Sequence, residues 1–115
     1  METEFLSEKQ VIQMMDTYIE SVRPPENIRD KIDIGYKIEG QSIIVYEIRP
    51  SWPDESIMEE NPVAKTTYIK RSGTWKIYWY QSDMKWHSYE PYPIAKNLEL
   101  FIAVLDKDEH DCFWG

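Results

Sequence analysis

Residues 63–81 read VAKTTYIKRSGTWKIYWYQ, two runs rich in Thr, Ile, Tyr and Trp on either side of Ser72-Gly73. Aromatic and β-branched side chains favour strands and a Ser-Gly pair favours a tight turn, so the stretch predicts a β-hairpin. With a two-residue turn, one face carries Thr66, Tyr68, Lys70, Trp75, Ile77 and Trp79. The other face carries Lys65, Thr67, Ile69, Lys76, Tyr78 and Tyr80. Apolar content favours the first face as the buried one, and the pattern alone leaves that choice open.

A second hairpin is predicted upstream of the first. Residues 32–38 alternate apolar and polar side chains, Gly40 supplies a turn, and residues 42–49 form the return strand. Turn length decides which side chains share the face of Ile34. Both registers stay open, with Val45 and Glu47 on that face for a two-residue turn, and Tyr46 and Ile48 for a three-residue turn.

Helices are predicted at both ends of the chain. Ser7 and Gln10 form a capping box ahead of an apolar stripe, and Pro24 ends a helix of about residues 7–22. Asn97 caps a second helix with a similar stripe from Leu98 to Leu105. A further strand is expected over residues 85–90, and the acidic, proline-bracketed residues 50–62 are expected to form a loop. The prediction is therefore an α+β fold with an antiparallel sheet of about five strands, packed on one face by the two helices.

Size and composition set limits on the class of protein. The chain has 115 residues, a length that fits one domain over residues 1–115. Its net charge of −8 argues against a protein whose whole surface binds polyanions. The longest apolar run, residues 101–105, is far shorter than the ~20 residues of a membrane span. The acidic start lacks the features of an export signal, and the single cysteine, Cys112, forms no disulfide within the chain. We expect a cytoplasmic protein.

Positive charge is concentrated in the middle of the chain. Between Lys65 and Tyr89 there are five bases, one acid and seven Tyr or Trp residues. Lysines neutralise phosphate and aromatic rings stack on bases, so this composition favours binding of single-stranded nucleic acid or of a small anionic ligand. Strands are also naturally rich in Tyr and Trp, with Lys on the solvent side, so a purely structural interpretation stands beside it.

Two other patterns add candidate ligand-binding residues. Glu47 and Arg49 lie on one face of a strand, where they form either an anion clamp or a cross-strand ion pair. Alternation in residues 85–89 places Lys85, His87 and Tyr89 on one side, with His87 either a ligand or a structural hydrogen-bonding residue. The predicted binding residues are Glu47, Arg49, Lys65, Lys76, Tyr78, Tyr80, Lys85, His87 and Tyr89.

Several motifs make the chain similar to a known family. They are Gly-Tyr-x-Ile-Glu-Gly-Gln-Ser from Gly35, Glu-Ile-Arg-Pro from Glu47, Pro-Val-Ala-Lys from Pro62, and Lys-Trp-His-x-Tyr-Glu-Pro from Lys85. Together they resemble a small bacterial family of uncharacterised proteins that carries only a domain-of-unknown-function label. The resemblance covers nearly the whole chain. It implies a free-standing bacterial cytoplasmic protein and no activity.

The leading prediction is a non-enzymatic binding module, with no catalytic residues, no cofactor and no bound metal. One alternative is a homodimer or partner-binding protein that uses the same aromatic face as its interface. Another is a metal-dependent hydrolase or nuclease built on Glu47, Lys65, Asp83 and His87, although no nucleophile, phosphate-loop or zinc motif accompanies them. The apolar end of the chain, Cys112-Phe113-Trp114, is expected to pack back on the domain or to enter a dimer interface.

Overall fold

A computed structural model of the chain describes residues 7–114. The elements in chain order are α1 (Glu8–Val22), a 3₁₀ turn (Glu26–Ile28), β1 (Asp33–Glu39), β2 (Ser42–Pro50), β3 (Met58–Ile69), β4 (Thr74–Tyr80), β5 (Trp86–Ser88), β6 (Ile94–Ala95) and α2 (Leu98–Lys107). The strands form one antiparallel sheet in the order β1-β2-β3-β4-β5, and β6 pairs with β4. The predicted α+β class, with a helix at each end of the sheet, is confirmed.

Two turn lengths were possible for the β1–β2 hairpin, and the structure has the two-residue turn. Glu39 pairs with Ser42 around Gly40-Gln41, and Gly40 adopts a φ of 61° that suits glycine. Ile34 pairs with Glu47 and Tyr36 with Val45, so Val45 lies in the core. Gly35 pairs with Tyr46, and the Tyr46 ring covers it so closely that an added Cβ would lie 3.1 Å from the ring atoms.

The β3–β4 hairpin has a longer turn than expected. Ile69 pairs with Thr74, which leaves a loop of residues 70–73 whose Ser72 and Gly73 N–H groups donate to the Ile69 carbonyl at 3.2 and 2.8 Å. Tyr68 therefore lies opposite Trp75, two positions away from the partner that a two-residue turn would give it. A shift of two residues preserves the alternation of a strand, so each side chain stays on its predicted face.

The prediction of a loop over residues 50–62 is wrong for its second half. Strand β3 begins at Met58 and pairs with β2 out to Pro50. Strand β4 pairs with β3 only from Ala64 onward, so within the described chain the start of β3 is an edge that pairs with β2 alone, and an edge segment tolerates a proline such as Pro62. A register shift at Val45/Tyr46 marks a bulge where this edge begins.

Both helices pack on one face of the sheet. Met15 and Tyr18 of α1 and Phe101 and Leu105 of α2 join a single buried cluster with strand residues such as Ile77. The end of the chain also packs here: the Phe113 ring lies 4.7 Å from that of Tyr89, and Trp114 Nε1 donates to the Leu105 carbonyl at 3.1 Å. Within residues 7–114, no helix has the length and apolar character needed to cross a membrane.

Candidate binding face of the sheet

The face of the sheet turned away from the helices is here named the open face. Ile43, Val45, Thr66, Trp75 and Ile77 are buried on the helix side, so the residues that alternate with them point the other way. On β3, β4 and β5 the open face consists of Lys65, Thr67, Ile69, Thr74, Lys76, Tyr78, Tyr80, Trp86 and Ser88. Four of the predicted binding residues, Lys65, Lys76, Tyr78 and Tyr80, therefore share one surface.

Lys65 lies among aromatic rings at one end of the open face. Its Nζ is 5.5 Å from the centroid of the Tyr78 ring and 5.8 Å from that of Trp86. The Tyr80 and Trp86 rings meet edge to face, with centroids 5.0 Å apart and planes at 70°. We name Lys65, Tyr78, Tyr80 and Trp86 the aromatic cluster. A cation held over ring faces, with ring surface still partly exposed, can pair with an anion while the rings stack on a planar group.

Trp86 was missed as a binding residue by the sequence reasoning. The alternation of residues 85–89 separates it correctly from His87, but only the pairing of Tyr80 with Trp86 and of Tyr78 with Ser88 places it beside the tyrosines. That register depends on the five-residue connection 81–85, whose Met84 has a positive φ of 64°. The sequence did contain one indication of this position: Trp86 and Ser88 alternate with His87, as Tyr78 and Tyr80 alternate with Trp79.

The open face carries a separate ion-pair network toward β1. Lys37 Nζ lies 3.2 Å from Glu60 Oε1 and 3.8 Å from Glu39 Oε2, and these carboxylates raise the pKa of Lys37. The same ammonium lies 5.7 Å from the centroid of the Tyr46 ring. The positive charge of Lys37 is thus neutralised by neighbouring carboxylates. Among the described residues, Lys65 and Lys76 on β3 and β4 have no such ion-pair partner.

The remaining predicted binding residues do not join the open face. Glu47 lies on the side of Ile34, where its Oε1 accepts from Arg49 Nε at 3.2 Å. The expected ion pair is therefore present, although it joins neighbours on one strand and does not cross between strands. Lys85 is exposed in the turn before β5, and Tyr89 is 2% exposed in the core.

His87 lies on the helix side of the sheet, because it pairs with Trp79 and not with Tyr78 or Tyr80. Its Nε2 is 2.8 Å from Asp83 Oδ2, and the other carboxylate oxygen of Asp83 accepts the backbone N–H of Lys85 at 3.0 Å. The hydrogen bond from His87 lowers the pKa of Asp83. This arrangement ties the 81–85 turn to β5, which is the structural role that the sequence offered as its alternative.

The four residues of the hydrolase alternative are divided between the two faces. Asp83 and His87 contact one another, whereas Glu47 and Lys65 lie on opposite sides of the sheet. In the part of the chain from 7 to 114, no group of three His, Cys, Asp or Glu side chains could hold a metal ion. Among the described residues, Lys65 therefore has no carboxylate within 4.0 Å, and Glu47 cannot act beside it.

Comparison with known proteins gives a family but no annotated relative. No curated protein matches the chain, and no solved structure matches it. A family model described as a domain of unknown function, DUF3024, matches residues 3–115, which is nearly the whole sequence, and the chain therefore belongs to the DUF3024 family.

Proposed function

We propose that this protein is a non-enzymatic binding module whose open face binds an anionic ligand with planar groups, either single-stranded nucleic acid or a smaller anion. The observation that carries the proposal is the position of Lys65 between the Tyr78 and Trp86 rings on a face that neither helix covers. The cation supplies attraction to phosphate or carboxylate, and the rings supply stacking surface that tolerates any base. The single thiol, Cys112, suits the reducing cytoplasm in which we place this function.

Binding at the aromatic cluster requires little reorganisation, because its rings already hold fixed positions in the free protein. The rings of Tyr80 and Trp86 hold one another edge to face, and the paired backbones of β4 and β5 fix their positions. A ligand that stacks here orders few side chains on binding, which reduces the entropy lost. Lys76 is exposed on β4 and pairs with Thr67, so it lies diagonally across from Lys65 and adds a second positive charge beside it.

The proposal is tested by titrating fluorescently labelled single-stranded DNA and RNA into the protein at low and moderate salt. We expect salt-sensitive binding that Lys65→Ala weakens and that Trp86→Ala weakens by roughly 5- to 100-fold, the range that loss of one stacking ring implies. Lys9→Ala, on the exposed side of α1, is the control for an equal change in charge. Absence of binding at low salt, or equal affinity in all three variants, would rule out the open face as the site.

A second candidate function, an interaction protein or homodimer, is favoured by a different surface. At the end of the β2–β3 hairpin, Trp52 is 87% exposed, Ile57 54% and Met58 44%. Exposed apolar side chains of this size cluster at protein interfaces, and beside them lies the start of β3, which within residues 7–114 pairs with β2 on one side and with no strand on the other. Light scattering during gel filtration should show a dimer that Trp52→Ser dissociates. If the protein is a monomer at all concentrations tested, the homodimer hypothesis is wrong.

A further inference from the structure

Positive side chains continue from the aromatic cluster to the opposite end of β4. Residues 62–82 contain four bases and no acid. Lys76 pairs with Ile94 and Trp75 with Ala95 of β6, and Lys96 directly follows β6 at this end of β4. The loop between β3 and β4 adds Lys70 and Arg71 at the same end.

These bases surround an open cleft. Lys70, Arg71 and Lys96 line a volume of about 590 Å³ together with Tyr68, Ser72, Gly73 and Thr74. The Ser72 and Thr74 hydroxyl oxygens lie 2.6 Å apart. One hydroxyl donates to the other, so the hydrogen of the accepting hydroxyl can be donated to an anion. We name Lys70, Arg71 and Lys96 the basic end. They lie where the β3–β4 hairpin turns, and Lys70 is on the side of Tyr68, away from the open face.

The charges at the basic end are not neutralised within the described part of the chain. Among residues 7–114, no carboxylate lies within 4.0 Å of Lys70, Arg71, Lys76 or Lys96, whereas Arg23, Lys37, Arg49 and Lys107 all have such a partner. Glu8 and Lys70 line an adjoining cleft together without forming an ion pair. In a protein of net charge −8, a local surplus of unpaired bases is a place where a polyanion can bind.

We infer that the ligand is a single strand of nucleic acid that runs along β4, with its bases on the aromatic cluster and its phosphates following Lys65 and Lys76 to the basic end. This inference rests on the proposed function. The seven residues of β4 span ~20 Å at about 3.4 Å per residue. At ~3.4 Å per stacked nucleotide, that length accommodates about six nucleotides, and fewer when the bases are splayed apart.

A length series separates this inference from the proposed function. Labelled oligothymidylates of increasing length and thymidine monophosphate are titrated into the intact protein. We expect affinity to rise steeply up to about six nucleotides and then to level off, as a track of that length requires. The variant Lys70→Ala, Arg71→Ala, Lys96→Ala should reduce the slope of log K against log salt by about two, since each phosphate contact contributes ~0.7 for a single strand.

The matched control is Lys9→Ala, Lys31→Ala, Lys107→Ala, which removes the same charge from exposed positions outside the open face. Its salt slope should equal that of the wild type. If no oligothymidylate binds at low salt, the proposed function fails and the inference fails with it. If thymidine monophosphate binds as tightly as the longer strands and Trp86→Ala abolishes that binding, or if the basic-end variant keeps the wild-type slope, the proposed function stands and only the inference is overturned.

Discussion

Arg23 and Asp33 form the most complete ion pair in the described part of the protein. Arg23 Nε donates to Asp33 Oδ1 at 2.9 Å and its Nη2 donates to Oδ2 at 2.7 Å, with both side chains partly buried. Arg23 is the C-cap of α1 and Asp33 is the first residue of β1, so the pair fixes the helix to the sheet edge. The hydrogen bonds from Arg23 lower the pKa of Asp33.

Asp33→Asn should therefore destabilise the protein in a pH-dependent way. We expect it to lower the free energy of unfolding by about 1–3 kcal/mol near neutral pH, because a charge-assisted, bidentate contact is lost. A lowered folded-state pKa gives stability that is present above the unfolded value of about 3.9 and lost as pH falls through the folded value, so the deficit should shrink in acid. Urea unfolding of wild type and variant at two pH values measures this.

Glu20→Gln is the control for that experiment, because Glu20 contacts the same arginine at 3.1 Å but is 64% exposed. Its loss should cost less than about 0.5 kcal/mol at either pH. A deficit for Asp33→Asn that stays constant between neutral and acid pH would contradict the ionic role assigned to Asp33.

Helix α2 ends on a residue that explains the acidic end of the chain. Asp108 is its C-cap in the left-handed conformation, with φ 43°, and the carboxylate accepts the backbone N–H groups of Phe113 and Trp114 at 3.1 and 2.9 Å. An acid at a helix C-terminus opposes the macrodipole, and these two N–H groups offset that cost. The apolar end packs back on the fold, as expected, and Asp108 adds these two hydrogen bonds to the contacts of Phe113 with Tyr89 and of Trp114 with Leu105.

Asp108→Gly separates the backbone requirement from the hydrogen bonds. Glycine adopts the left-handed conformation without strain, so the variant loses only the two contacts to residues 113 and 114. We expect faster hydrogen exchange at both amides, a weaker contact of Phe113 with Tyr89, and a loss of about 1–2 kcal/mol. Asp108→Ala should cost about 1 kcal/mol more, because alanine is strained there. Unchanged exchange in Asp108→Gly would show that the ring contacts alone hold the end of the chain.

Sequence patterns predicted the elements better than their partners. The caps Ser7 and Asn97 and the alternation of β4 were sufficient for the helices and for the two faces of the second hairpin, because both depend on local periodicity. The edge at the start of β3 was missed, since Glu59 and Pro62 are unfavourable in a central strand but acceptable where one side is unpaired. Trp86 was missed because strand register is a non-local property.

Over the whole molecule, charge is divided between surfaces. Lys65 of β3 and Lys76 of β4 lie on the open face, whereas α2 packs on the opposite side of the sheet and exposes acids such as Glu99. The net charge of −8 repels a polyanion at long range, while the open face attracts it at contact. Specific contacts and the general field should therefore respond differently to ionic strength.

Glu109→Lys tests that separation, because Glu109 is exposed next to the C-terminal end of α2 and the change makes the net charge less negative by two without touching the open face or the basic end. At ~0.01 M salt, where the Debye length is about 30 Å, we expect the affinity for single-stranded DNA to rise by about two- to threefold. At ~0.15 M salt, with a Debye length of about 8 Å, the variant should match the wild type, because the thickness of the sheet separates a charge beside α2 from the open face and salt then screens it. A large gain at the higher salt would mean that the strand contacts α2, which would place the binding site on the helix side of the sheet and not on the open face.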